Sequence, residues 1–298
     1  MNSLFWLAVE TGVRNFTKMN ITARSAHALL GATALLLSAI PLLAQQHEEG
    51  FQSLFNGRDL SGWAGRSNHW SVEDGAITGV TSADNPAKGN NFLIARKGDE
   101  NLIVRDFEIR FSYKFSTDWG NSGLQYRSKD RGNFVVNGYQ ADFEVGPTYS
   151  GILYEEGIRG ILAQRGQKVV IKEPLFVTDT KKVKDDKTGK EKEIKSKREV
   201  AKDSPEAAHA APDTKIEVVG SVGDTKEIQA AINKNGWNDY VIIAKGNHLQ
   251  HFINGKQTVD VVDEQESKAA KSGILAFQIH AGPPMKIQFK NVRIKMLD

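Results

Sequence analysis

The sequence predicts an all-β protein built as an antiparallel sandwich. Three observations carry this. Apolar and polar residues alternate strictly over several segments, tight-turn dipeptides separate them, and helical periodicity is nearly absent. Phe107–Phe115 is the clearest case, with Phe107, Ile109, Phe111, Tyr113 and Phe115 on one face. Successive side chains of a strand point to opposite faces, so this pattern buries one face.

The remaining elements follow in chain order. Asn121–Arg127 and Tyr139–Glu144 read as strands, and Gly151–Gly157 as a Gly-flanked loop able to reach over the sheet. The stretch 178–213 is dominated by Lys, Asp and Glu and lacks core residues, which predicts a solvated insertion or long hairpin. Glu227–Asn233 predicts one or two helical turns, ended by Asn235-Gly236. Tyr240–Ala244 and His248–Ile253 predict a hairpin closed by Lys245-Gly246-Asn247. Asn254-Gly255 predicts a second tight turn into Gln257–Val262, because these residues accept positive φ. The last strand, Ile287–Ile294, changes apolar parity between Phe289 and Val292, which predicts a bulge near Asn291.

Composition bounds the function. The chain has 298 residues, long enough for one large β domain, and its hydrophobic content of 40% supports a normal core. A net charge of +3 is too small to imply nucleic acid. With no Cys, disulfides, thiolate metal sites and a Cys nucleophile are excluded. The seven His show no metal-ligand spacing, and no acidic Ca loop or phosphate loop is present, so no metal or cofactor is expected. A basic start at Met19, an apolar run from Ala28 to Ala44 and a small residue at Ala44 predict a secretory signal within residues 1–44. Cleavage near Ala44 would leave a secreted or periplasmic domain, 51–298, with no stable membrane association.

Three segments suggest a site. Gln125 and Arg127 share a face, as do Gln140, Asp142 and Glu144, and again Gln278 and His280. The opposite faces carry Leu124 and Tyr126, Ala141 and Phe143, or Phe277 and Ile279. A surface of amides, carboxylates, a guanidinium and an imidazole suits a polyhydroxylated ligand, although a solvated sheet face reads similarly. Asp142 and Glu144 would have Cα atoms about 6.5 Å apart, at ~3.3 Å per residue. Paired carboxylates serve glycosidases, but two acids on a strand are also commonly solvated. Arg127 beside Asp142 would lower that carboxylate's pKa. His280 precedes a rigid Ala-Gly-Pro-Pro turn and could face a cleft or pack at a corner. Trp119, beside Gly120-Asn121, suits stacking on a sugar ring. Asn121 and Tyr154 complete the binding candidates, and Glu155, in the Gly-flanked loop, joins the acids.

Several motifs occur in register: FQSLFNGRDLSGW from Phe51, WSVEDGAITG from Trp70, NSGLQYR from Asn121, GYQAD from Gly138, WNDY from Trp237, HFING from His251, QIH from Gln278 and FKNVRIK from Phe289. In this order the chain resembles the 3-keto-disaccharide hydrolase family. The resemblance implies a concanavalin-like jelly roll in a secreted bacterial protein that acts on glycosides oxidised at C3. The charged insertion departs from the family pattern. A C3 ketone acidifies the C2 proton, so elimination followed by hydration would give net hydrolysis. Asp142 or His280 could be the base and Glu144 or Glu155 the acid, with Arg127, Gln125 and Gln140 polarising the ketone. Direct displacement at C1 is the competing mechanism. A carbohydrate-binding module of the same fold, without turnover, is the alternative function.

Overall fold

The computed structural model describes residues 48–185 and 187–297. The predicted signal, with cleavage near Ala44, lies outside them. Two large sheets pack face to face as a jelly-roll sandwich. In spatial order, one sheet runs Gly160–Ala163, Leu153–Glu156, Val136–Glu144, Asn121–Asp130, Gly273–Ile279, Asn91–Lys97 and Trp63–Ala64. The other runs from Lys215–Ser221 through Gln167–Lys172, Lys256–Asp263, His248–Ile253, Asn238–Lys245, Phe107–Phe115, Lys286–Met296 and Ala76–Val80 to Trp70–Glu73. Pairing is antiparallel except between Gln167–Lys172 and Lys256–Asp263, which run parallel.

The alternation read from the sequence places the core. Phe107, Ile109, Phe111, Tyr113 and Phe115 are all buried between the sheets. Phe111 meets Phe277 edge-on at 5.3 Å, Tyr113 stacks on Phe143 at 4.4 Å, and Phe277 stacks on Phe289 at 3.9 Å. These contacts cross between the sheets, so burial and aromatic packing together fix their spacing. His251 is fully buried with its Nε2 2.9 Å from Tyr126 Oη, and burial pushes its pKa down to about 3. It is a neutral core residue.

The turns follow their residues. Asn254 and Gly255 both take positive φ, 48° and 77°. The bulge in the last strand is at the expected place: the register shifts between Lys290 and Arg293, and Asn291 has φ 56°. Two local readings need correction. The helix spans Thr225–Ala230, starting earlier than expected because the Asp224 side chain accepts hydrogen bonds from the Lys226 and Glu227 N–H groups. Gly151–Gly157 is not a free loop, since Leu153–Glu156 pairs with Val136–Glu144.

The charged insertion forms a hairpin, Leu175–Lys184 against Glu191–Val200, joined by Ala211–Pro212 as a third short strand. From Thr178 to Glu199 its described residues are exposed, and burial returns at Val200. Replacing 178–197 by a short Gly-Ser link should therefore change unfolding stability by no more than about 1 kcal/mol, because almost no apolar area is lost. Denaturant titration checks this, and a loss of several kcal/mol would contradict it.

Candidate active site

The register of the first sheet assembles the site. Gln140 lies opposite Gln125, Asp142 opposite Gly123, and Glu144 opposite Asn121. On the other side, Gln140 pairs with Tyr154 and Gly138 with Glu156. Phe277 pairs with Leu124, so Gln278 comes onto the same face as Gln140. The face is partly covered. Phe92, Ile94, Val136, Ile274 and Ala276 form a small second apolar cluster, with Phe134 folded onto it. The rest is an open cleft of about 560 Å³.

Seven of the residues singled out from sequence line this cleft: Trp119, Asn121, Gln140, Asp142, Glu144, Tyr154 and His280. Gln125 and Gln278 are fully buried beneath it. They belong to an amide ladder that supports the acids. The Gln125 and Gln140 amides meet at 2.9 Å, Gln278 Nε2 donates to Gln140 Oε1 at 3.0 Å, and the same nitrogen reaches Glu156 at 3.3 Å. Gly123 makes room for this ladder: a Cβ there would lie 2.5 Å from Gln140 Cγ.

Two candidates are elsewhere. Arg127 has φ 47°, in a bulge where the strand's register with Gly273–Ile279 shifts, so its side chain leaves the cleft face. Its guanidinium donates to the Arg105 and Gly246 carbonyls, both at 2.6 Å, and to Asp106 at 2.7 Å. It joins loops and cannot polarise a ligand in the cleft. Glu155 points to the core side of its strand, where it is buried against Arg159. Strand alternation puts its neighbour Glu156 in the cleft instead. The flanking glycines made this segment read as a loop, and a loop gives no parity by which to single out Glu156. Asn90 was also missed, because it comes from a loop with no pattern: its Nδ2 lies 3.4 Å from both Glu156 carboxylate oxygens.

Electrostatics separates the acids. Burial raises Asp142 well above the ordinary carboxylate range, and the nearby Glu144 charge adds to this, against a weak 3.4 Å hydrogen bond from Gln140. This reverses the lowering expected from Arg127. Burial also raises Glu156, opposed by its contacts with Asn90, His280 and Gln278. Glu144 serves the loop above the cleft. Its Oε1 accepts the Thr148 and Tyr149 N–H groups at 2.7 and 2.8 Å, which holds Tyr149 over the opening. His280 Nδ1 lies 2.6 Å from the Ala281 carbonyl. Only a protonated Nδ1 can donate there, so in the neutral ring the lone pair is on Nε2. Burial raises the Tyr154 phenol as well, followed by the charges of Glu156 and Asp142, which keeps it a hydrogen-bond donor. The cleft thus combines an imidazole, two carboxyl groups that burial biases toward their protonated form, a phenol, and an indole for stacking.

Comparison with known proteins adds a family. The 3-keto-alpha-glucoside-1,2-lyase-like domain matches residues 50–295. No match is found among curated proteins. Among solved structures, a provisionally named glycosyl hydrolase from Parabacteroides distasonis ATCC 8503 is 15% identical, covering 83% of this chain and 99% of its own, with TM-score 0.48. The carbohydrate-binding module CBM66 from Bacillus subtilis is 12% identical, covering 78% and 95%, with TM-score 0.42.

Proposed function

Since this chain belongs to the 3-keto-alpha-glucoside-1,2-lyase-like family, we propose that it cleaves glycosides oxidised at C3 by elimination across C1–C2. The observation that carries this reading is the meeting, in one cleft, of His280 with two acids, Asp142 and Glu156, both biased toward the protonated form. Elimination needs a base and an acid at once, and an imidazole beside a carboxyl group raised by burial supports that pairing.

In the proposed step, His280 Nε2 takes the C2 proton. The released electron pair forms the C1=C2 bond as C1–O breaks, and Asp142 gives its proton to the departing oxygen. The positive charge formed on His280 favours the ionised form of the neighbouring Glu156, against the rise that burial imposes on it. The Tyr154 hydroxyl donates to the C3 carbonyl oxygen, where negative charge builds in the transition state. Trp119 takes the apolar face of the ring. Water adding across C1=C2, with hydroxyl to C1 and a proton to C2, completes hydrolysis. Asp142 is thus an acid, and Glu144 a loop anchor.

The test is turnover of methyl 3-keto-α-glucoside beside its unoxidised parent in deuterated water. The oxidised sugar should be consumed and the parent left intact, with deuterium at C2 of the hydrated product. Cleavage of both sugars, or product without label at C2 when a slow substrate rules out internal proton return, would refute elimination. Binding without turnover would identify a carbohydrate-binding module.

A further inference from the structure

Asn90 joins Glu156 to the turn that follows His280. It is half-buried just before the strand Asn91–Lys97 and lines the cleft. Its Oδ1 accepts the Ala281 N–H at 3.0 Å, and a backbone N–H can only donate, so this contact fixes which way the amide points. The Nδ2 end then faces Glu156, shared between its two oxygens at 3.4 Å each.

Ala281 in turn sets the state of the imidazole. His280 Nδ1 donates to the carbonyl of the same Ala281 at 2.6 Å. No other hydrogen bond to the His280 ring is formed among the described residues. The tautomer of the neutral ring therefore rests on one hydrogen bond, and that bond rests on where Ala281 sits. Beyond the carbonyl, Gly282 is packed on Trp119, where an added Cβ would strike the indole. On the near side the Ala281 N–H has no acceptor besides Asn90 among the described residues. Glu156 differs, because Gln278 Nε2 is a second donor to it at 3.3 Å. Loss of Asn90 should thus be felt more at His280 than at Glu156.

We propose that Asn90 is a positioning residue, holding Ala281 so that the proton of the neutral His280 ring stays on Nδ1 and Nε2 keeps the lone pair a base needs. Released from this hold, the ring reverts to the tautomer that histidine prefers in water, with the proton on Nε2, and that nitrogen can no longer accept one. Only the kinetic consequence rests on the elimination reading above. The tautomer is a property of the protein without substrate.

The experiment reads the tautomer by nitrogen–proton correlation spectra of protein labelled in its imidazoles. His280→Gln assigns the signals, and spectra are taken above the pH at which they stop moving. The wild type should show His280 protonated on Nδ1. Asn90→Ala should move most of the signal to the Nε2-protonated form. Asn90→Leu, which keeps volume and removes both hydrogen bonds, should do the same. Asn90→Asp retains an oxygen for the Ala281 N–H and should retain the wild-type tautomer. An unchanged tautomer in the Ala and Leu variants overturns the proposal, as does its loss in the Asp variant as well. On methyl 3-keto-α-glucoside, Asn90→Ala should lower kcat about tenfold or more with KM nearly unchanged. A loss carried by KM alone would make Asn90 a sugar contact and overturn the positioning role. Absence of turnover in the wild type counts against elimination, and the spectra still decide the role of Asn90.

Discussion

Asp142→Asn should lower turnover of a 3-keto-glycoside on the order of a hundredfold or more, because the amide cannot release a proton to the leaving oxygen. The loss should be smaller with an aryl leaving group, which departs without help. His280→Ala should be as damaging with every leaving group, since the C2 proton must always be removed. The pH dependence has a definite sign. Asp142 is raised by burial, so its protonated form persists above the ordinary carboxylate range, and activity should fall as pH rises through its folded value. Stability carries the same signature. A carboxyl group whose folded pKa exceeds its unfolded value, about 3.9, contributes stability at low pH that is lost as pH rises through the folded pKa. Asp142→Asn abolishes that dependence, so the variant should unfold no more easily than the wild type at neutral pH. Steady-state kinetics with leaving groups of graded acidity, paired with denaturant unfolding at several pH values, checks both statements. An inactive variant that is also strongly destabilised would mean that Asp142 acts structurally.

Arg159→Met should destabilise the fold by about 3–5 kcal/mol, the usual consequence of leaving buried charges unpaired. The Arg159 side chain is 2% exposed and pairs with Glu155 and Asp263, each 1% exposed. Its nitrogens reach Asp263 at 2.6 and 3.2 Å, Gln265 at 3.1 Å and Tyr139 Oη at 3.3 Å. Asp263 ends a strand of the second sheet and Glu155 lies in the first, so the cluster clamps the two together. Combining Arg159→Met with Glu155→Gln and Asp263→Asn should recover much of the loss, because the orphaned charges are then gone. Urea midpoints for the single and triple variants decide the matter. Equal destabilisation in both would show that packing, and not charge burial, dominates.

The sandwich was legible because period-two alternation is a local signal that burial enforces. Phe107–Phe115 and the parity change at Asn291 could be read without knowing any partner strand. The site was legible to the same extent: Gln140, Asp142 and His280 could be brought together from strand faces alone. The failures have separate physical causes. Arg127 sits in a bulge, and one non-glycine residue at positive φ breaks the parity rule without leaving a mark in composition. Glu155 and Glu156 exchange roles once their segment is a strand, and the flanking Leu153 and Tyr154 held the only local hint of that parity. Asn90 enters from a loop, where no periodicity exists. The protonation of Asp142 depends on how deeply the assembled cleft buries it, a property of several strands at once.

Gly123 has a consequence for redesign. Position 123 can only add atoms to the floor, and every addition strikes Gln140. Enlargement at this point of the floor falls to Gln140. Shortening it would open a shaft down to the main chain of the strand below, where a bulkier or branched sugar could reach the peptide groups themselves. The cleft can be deepened at that one point, while the amides of Gln125 and Gln278, left without their shared partner, would become new recognition groups at its base.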